Sequence, residues 1–221
     1  MAFTIVMGRV KGGVGSSTTS VNLAVYFANK GYRTTILDCD INQSCKVFVE
    51  ARSADLPEVR VVGMRDIKKL VRTVNSLKEQ SDILLIDGSP TLAEKTSYLI
   101  LLADIILIPT PADMFSIAAQ ELFVERYLEA KALKSDEIPA YFLMSMYNPR
   151  INLHKEFKNV LKGFLEYDIG TLKSFLQYRT AYRTSLIEGR GAYEWRDAKA
   201  KQEVESLGKE VLQIGKAYQY L

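Results

Sequence analysis

Val10-Lys11-Gly12-Gly13-Val14-Gly15-Ser16-Ser17-Thr18-Thr19 follows the apolar run Phe3-Thr4-Ile5-Val6-Met7 and opens a helix-forming stretch, Ser17 to Lys30, halted by Gly31. A buried strand, a glycine-rich bend and a helix start in that order make a phosphate-binding loop, because closely spaced glycines let successive backbone N–H groups fold around an anion at a helix N-terminus. A glycine-rich turn without a ligand would explain the three glycines but not the Ser-Ser-Thr-Thr run that follows them. Ser17 occupies the position of a Mg²⁺ ligand, and Thr18 can bond an α-phosphate oxygen. Ser16 or Ser17 could also serve as an ordinary helix N-cap. The lysine that normally precedes the Ser/Thr is absent, and Ser16 stands in its place. A different lysine, Lys11, lies ahead of the glycine pair. The expected nucleotide contacts are Lys11, Gly12, Gly13, Val14, Gly15, Ser16, Ser17 and Thr18.

Outward from this loop, strand and helix signals alternate. Thr34 to Leu37, Val59 to Val62, Ile83 to Ile86, Ile105 to Ile108, Ala140 to Met144 and about 171–176 read as strands. Helices are expected around 42–51, 65–79, 91–102, 114–133, 152–166 and 194–218. Continuous Ile/Leu/Val runs between helices predict a mostly parallel, twisted α/β sheet covered by helices on both faces, a P-loop NTPase-like fold. At 221 residues the chain reads as one domain, 1–221.

With 48% hydrophobic and 25% charged residues, the composition is that of an ordinary globular protein. Cys39 and Cys45 are too few for a disulfide framework or a four-ligand metal set, so they read as packing or surface residues in a reducing cytoplasm. No signal peptide and no run of about 20 apolar residues is seen, so no membrane span is expected. The net charge is +3, and residues 150–221 hold 13 Lys/Arg against 9 Asp/Glu. That bias permits a polyanionic partner without demanding one.

Ligands of such sheets gather at the carboxyl ends of the strands. Asp87 ends a hydrophobic strand as a Walker B acid does, facing Mg²⁺. Asp38 and Asp40 end another and should point to opposite faces unless the chain turns between them, one towards the metal and the other towards an attacking water. Ser17, Asp38 and Asp87 form the expected metal set.

Lys11-Gly12-Gly13-Val14-Gly15 with Ser17-Thr18-Thr19-Ser20-Val21-Asn22-Leu23-Ala24 resembles the deviant Walker A motif of the ParA/MinD ATPases. Leu37-Asp38-Cys39-Asp40-Ile41-Asn42-Gln43 resembles that family's Asp-x-Asp-Pro-Gln motif, with Ile41 and Asn42 replacing the proline and shifting the glutamine. Leu84 to Pro90, Ile108 to Asp113, Asn148 to Leu153 and Ser185 to Gly191 are similar to later family motifs, the last two to those of small partition ParAs. The resemblance implies ATP/ADP and Mg²⁺ as cofactors, and catalytic roles for Lys11, reaching across an ATP-sandwich homodimer, and Asp40, beside the hydrolytic water. It further implies non-specific DNA binding, a centromere-binding, ParB-like adaptor, and a cytoplasmic, nucleoid-associated location.

Ser16 departs from the family. A hydrogen bond to a charged group contributes roughly 1.5–3 kcal/mol, and losing a transition-state donor costs about 10²–10³ in rate. ATP binding with slow hydrolysis is the expectation, unless another cation compensates. Lys173, Arg179, Arg183, Arg190, Arg196, Lys199 and Lys201 form the candidate DNA patch, against Glu188, Glu194 and Asp197 in the same stretch. Scattered surface charge is the bland alternative. With the first strand starting at residue 3, no preceding helix-turn-helix is expected. The alternatives are a MinD-like membrane-cycling ATPase, marked by the apolar stripe Val204, Leu207, Val211, Leu212, Ile214, Tyr218 and Leu221, and a non-hydrolysing scaffold. His154 and Trp195 are assigned surface or packing roles. Ser145 lies where relatives often place an asparagine near the base.

Overall fold

The strand over Ile83–Asp87 contains no polar residue before its terminal aspartate, and all five of its residues are buried. Such a run needs apolar neighbours on both faces and paired strands on both edges. It receives them in a computed structural model that describes residues 1–9, 11–64, 66–88, 96–134 and 137–221. The strands are β1 (Phe3–Met7), β2 (Thr34–Asp38), β3 (Val59–Gly63), β4 (Ile83–Asp87), β5 (Ile105–Pro111), β6 (Ala140–Tyr147) and β7 (Ile169–Gln177). They form one sheet in the order β3-β2-β4-β1-β5-β6-β7, and every pairing is parallel.

The helices are α1 (Ser16–Asn29), α2 (Ser44–Glu50), α3 (Leu70–Gln80), α4 (Thr96–Leu101), α5 (Met114–Leu133), α6 (Asn152–Leu161), α7 (Ala181–Ile187) and α8 (Ala198–Ala217). Alternation along the strands divides the interior in two. Leu84, Ile86, Ile106 and Ile108 pack with Leu70, Val74, Phe123 and Tyr127 on one face. Ile83, Leu85, Ile105 and Leu107 pack with Leu23, Phe27, Val204 and Val211 on the other. Helices thus cover both faces of the sheet, as the strand runs required.

Three expectations are adjusted. The helix expected over 152–166 ends at Leu161 and continues as a 3-10 segment, Lys162–Tyr167, containing Gly163. The helix expected over 194–218 starts at Ala198, because the Asp197 carboxylate accepts the Lys199 and Ala200 amides as an N-cap. Helix α7 lies in the stretch 177–193, for which no helix is expected from the sequence. Of the helix expected over 91–102, residues 91–95 lie outside the described residues, as do Val10, Ser89 and Pro90 of the quoted motifs.

β1 has β4 on one side and β5 on the other. The chain crosses from β1 to β2 on one side and later places β5 and β6 on the other, so strand order reverses beside β1. The loop after β1 therefore opens at the crevice where α/β sheets bind ligands.

Candidate functional site

Gly13 and Gly15 have φ of 76° and 91°, the left-handed region that side-chain-bearing residues avoid. Gly15 is the residue before α1, and no side chain caps that helix. The Thr19 amide and hydroxyl both donate to the Gly15 carbonyl at 2.8 Å. The Ser145 hydroxyl, from β6, donates to the Val14 carbonyl at 2.8 Å. Ser145 thus buttresses the loop from behind. Ser16 is buried, and its hydroxyl has no partner among the described residues.

Asp87 lies level with Met7 on one side and with Asp38 on the other. It is fully buried, and its Oδ1 has no hydrogen-bond partner among the described residues. The Cys45 thiol approaches its Oδ2 at 3.6 Å. Burial pushes the Asp87 carboxyl up to about 6, while the positive charge of Arg9 and a hydrogen bond from Ser17 pull against it. One ligand atom each from Asp38, Cys45 and Asp87 lies within 4.8 Å of the others.

The chain does turn between the two upstream acids. Asp38 Oδ1 accepts the Asp40 amide at 3.1 Å, and Oδ2 accepts the Cys45 amide at 2.9 Å. Burial raises the Asp38 pKa against those amides. Asp38 therefore ties the turn to the start of α2, and Asp40 stays at the same sheet edge. Asp40 Oδ1 accepts the Asn42 amide at 2.9 Å. Its Oδ2 accepts a bond from an Arg9 terminal nitrogen at 2.6 Å, in a pair whose side chains are only 7% and 11% exposed. Arg9 Nε donates to the Gly88 carbonyl at 2.5 Å.

Lys11 is more open. Its Nζ lies 3.3 Å from Asp113 Oδ1, with both side chains more than a third exposed. Asp113 caps α5 by accepting the Ser116 amide and hydroxyl at 2.8 and 2.7 Å. Burial opposes its ionisation, yet those bonds and Lys11 hold its pKa below the ordinary value.

The expected nucleotide and metal residues thus meet at one edge, and the basic residues of the expected patch have several separate settings. Lys173, Arg179 and Lys199 line an open groove of about 860 Å³ together with Arg150. Arg179 is paired with Glu203 at 2.7 Å. Arg183 stacks on Tyr178 and, with Arg179, borders a small pocket next to Gly15, Thr18 and Thr19. Lys201 sits over Tyr193, Arg196 over Trp195, and Arg190 within electrostatic range of Asp55. His154 Nδ1 accepts the Asn148 amide, and Trp195 packs against the core, as their packing assignments anticipated.

Sequence reasoning missed Arg9, Cys45 and the tethering of Lys11 by Asp113. A basic residue between a buried strand and a glycine loop was the available signal for Arg9. Its partners became visible only once β4 and β2 were placed beside β1.

The orphaned Asp87 oxygen, the nearby Ser17 hydroxyl and the uncapped start of α1 are groups of the kind that would hold a magnesium-bound nucleotide. A family model described as the CobQ/CobB/MinD/ParA nucleotide binding domain matches residues 5–190. Protein ParA of Rhizobium radiobacter is 28% identical over 166 residues, covering 73% of this chain and 72% of that protein. A Borrelia burgdorferi B31 structure described as a plasmid partition protein bound to AMPPNP aligns with a TM-score of 0.73 at 16% identity, over 96% of this chain and 99% of its own. The cell division ATPase MinD of Pyrococcus furiosus aligns with a TM-score of 0.72 at 20% identity, over 97% and 100%. The likeness to both solved structures is one of fold.

Proposed function

We propose, from the premise that this chain belongs to the CobQ/CobB/MinD/ParA nucleotide-binding family, that it is a ParA-type ATPase that holds Mg·ATP, dimerises with it, and binds DNA without sequence preference to segregate or position cargo. The observation that carries this reading is the left-handed Gly13/Gly15 bend at an uncapped helix start, facing a buried Asp87 oxygen that has no partner among the described residues.

In this reading the amides of the Gly12–Ser17 loop and the α1 N-terminus bind the phosphates. Ser17 and Asp87 hold the metal, whose chemistry is to neutralise charge on the phosphates. Asp38 fixes the turn that keeps Asp40 at the site, and Asp40 orients the water. Lys11 leaves Asp113 and reaches the partner subunit's phosphates when the dimer forms. Ser16 is too short and uncharged to replace a lysine, so hydrolysis is slow. Lys173, Lys199 and Arg150 supply phosphate-directed, salt-sensitive DNA contacts, and a ParB-like adaptor is the expected stimulator.

The membrane-cycling alternative has less support. Val204, Leu207 and Val211 are buried in the chain's own core and Leu212 and Ile214 pack partly buried against it, so five of the seven residues of the stripe that reading needs are already engaged. Among the described residues, no helix is long and apolar enough to cross a membrane.

The test is calorimetric titration with Mg·ATP, followed by light scattering and duplex-DNA binding with and without nucleotide. Binding, a doubled mass and DNA affinity that falls steeply with salt are expected. No heat at millimolar Mg·ATP would overturn the reading.

A further inference from the structure

The site holds three buried carboxylates, Asp38, Asp40 and Asp87. A nucleotide adds further negative charge, and position 16 contributes no cation. Lys11 points to Asp113 on the exposed side. Among the described residues at this edge, the buried cation is Arg9.

Arg9 is placed for more than holding Asp40. It leaves β1 two residues before Lys11, and its Nε is bonded to the carbonyl of Gly88, the residue that follows Asp87. One terminal nitrogen bonds Asp40. The other makes no hydrogen bond with any described residue. Its charge is felt at Asp87 and at Cys45, two groups of the cluster that faces the glycine loop. A planar guanidinium carries five N–H donors in a fixed fork, so it can bond a carboxylate with one arm and a phosphate with another.

Resting on the nucleotide reading above, we propose that Arg9 supplies from the end of β1 the phosphate-binding cation that Ser16 lacks, bridging Asp40 and the outer phosphates of the bound nucleotide. Arg9 thereby restores affinity without restoring rate. Arg9 occupies Asp40 Oδ2, so that carboxylate orients the water less effectively and the site keeps ATP longer.

The experiment measures the affinity of the full chain for Mg·ATP, Mg·ADP and AMP by calorimetry, in wild type, Arg9→Gln, Ser16→Lys and the double variant. A charged hydrogen bond to an outer phosphate predicts that Arg9→Gln weakens Mg·ATP about tenfold or more and AMP by less than about twofold. Ser16→Lys in the Arg9→Gln background should return Mg·ATP affinity to within about threefold of wild type, since either cation can meet the same phosphates. A merely structural arginine would weaken all three ligands together and would not be rescued from position 16. That pattern, or unchanged Mg·ATP affinity, overturns the proposal. If Arg9→Gln melts early because Asp40 is left unpaired, Arg9→Gln/Asp40→Asn removes both charges and the same comparison of ligands decides. A wild type that binds no Mg·ATP sinks the nucleotide reading itself; a wild type that binds it as tightly as Arg9→Gln does sinks only the role of Arg9.

Discussion

Replacing Ser16 by lysine should accelerate hydrolysis far more than it tightens binding. Ser16 is 1% exposed at the first position of α1, with an unpartnered hydroxyl, so it adds no hydrogen bond to the site. A lysine there changes the buried formal charge from three carboxylates and one guanidinium to the same set plus one ammonium. Two unit charges about 4 Å apart interact by roughly 4 kcal/mol at an effective dielectric near 20, which bounds the gain. Donors that act on developing charge typically contribute about 2.7–4 kcal/mol, or a factor of 10²–10³ in rate. Ground-state affinity already draws on the loop amides and, on the inference above, on Arg9, so it should change much less. Single-turnover hydrolysis under saturating Mg·ATP, with and without duplex DNA, separates the two effects. A turnover that rises by less than about threefold while nucleotide is fully bound would refute the claim that the missing lysine limits chemistry.

Four further outcomes follow from geometry outside the site. Arg52 is 4% exposed, bonds the Pro57 and Gly189 carbonyls and pairs with Glu194 at 2.7 Å; Arg52→Ala should cost roughly 3–5 kcal/mol and lower the melting temperature by about 10 °C. Burial opposes ionisation of Glu194, but its bonds from Arg52 and Asn29 leave its pKa below the ordinary value; that stability is present above about pH 4.5 and lost as pH falls further, so wild type should lose its advantage over Arg52→Ala on acidification, and an advantage that held constant would contradict the linkage. A Cβ on Gly208 of α8 would overlap the Tyr26 ring of α1; Gly208→Ala should destabilise by about 1–3 kcal/mol in urea melts, and a neutral result would show that the α1–α8 contact yields easily. Lys173→Ala/Lys199→Ala should reduce the slope of log K against log salt for duplex DNA by about 1.8, whereas Arg190→Ala, which does not line that groove, should leave it nearly unchanged; equal effects would argue for diffuse charge.

Much of the fold was legible because the strands are buried on both faces. β1, β2 and β4 are buried at every position, and short runs rich in β-branched and apolar residues between helical stretches have few other homes in a chain of this pattern. Helix α7 was hidden for the opposite reason. It is seven residues long and buries only Ala181, Tyr182 and Ser185, too short a run to give a 3.6-residue signal, and it depends on tertiary contact with the second core face. The stripe on α8 shows a limit of periodicity: spacing reveals an apolar face but not what covers it. Gly208, which meets Tyr26, was the sign that α8 lies against its own domain, since a glycine among larger apolar residues marks close approach of another element.

At the site, the glycine loop and Asp87 were legible because each is a local motif attached to a strand. Asp38 and Asp40 were not fully so. Alternation predicts opposite faces, but the Asp38 side chain accepts the amide of Asp40 and bends the chain where a strand rule stops applying. Arg9 lay further out of reach, since its role depends on Asp40 and Gly88, which are distant in sequence. Its placement also bears on how the proposed dimer works. Within one subunit the site has a helix terminus and one guanidinium to set against three buried carboxylates and a triphosphate. On the proposed reading Lys11, paired with Asp113 and partly exposed, would leave that pair to add charge from another subunit. A chain without the loop lysine should therefore couple ATP retention to dimerisation more tightly than a relative that has one, because Arg9 alone leaves negative charge uncompensated in cis and Lys11 offers a further cation in trans.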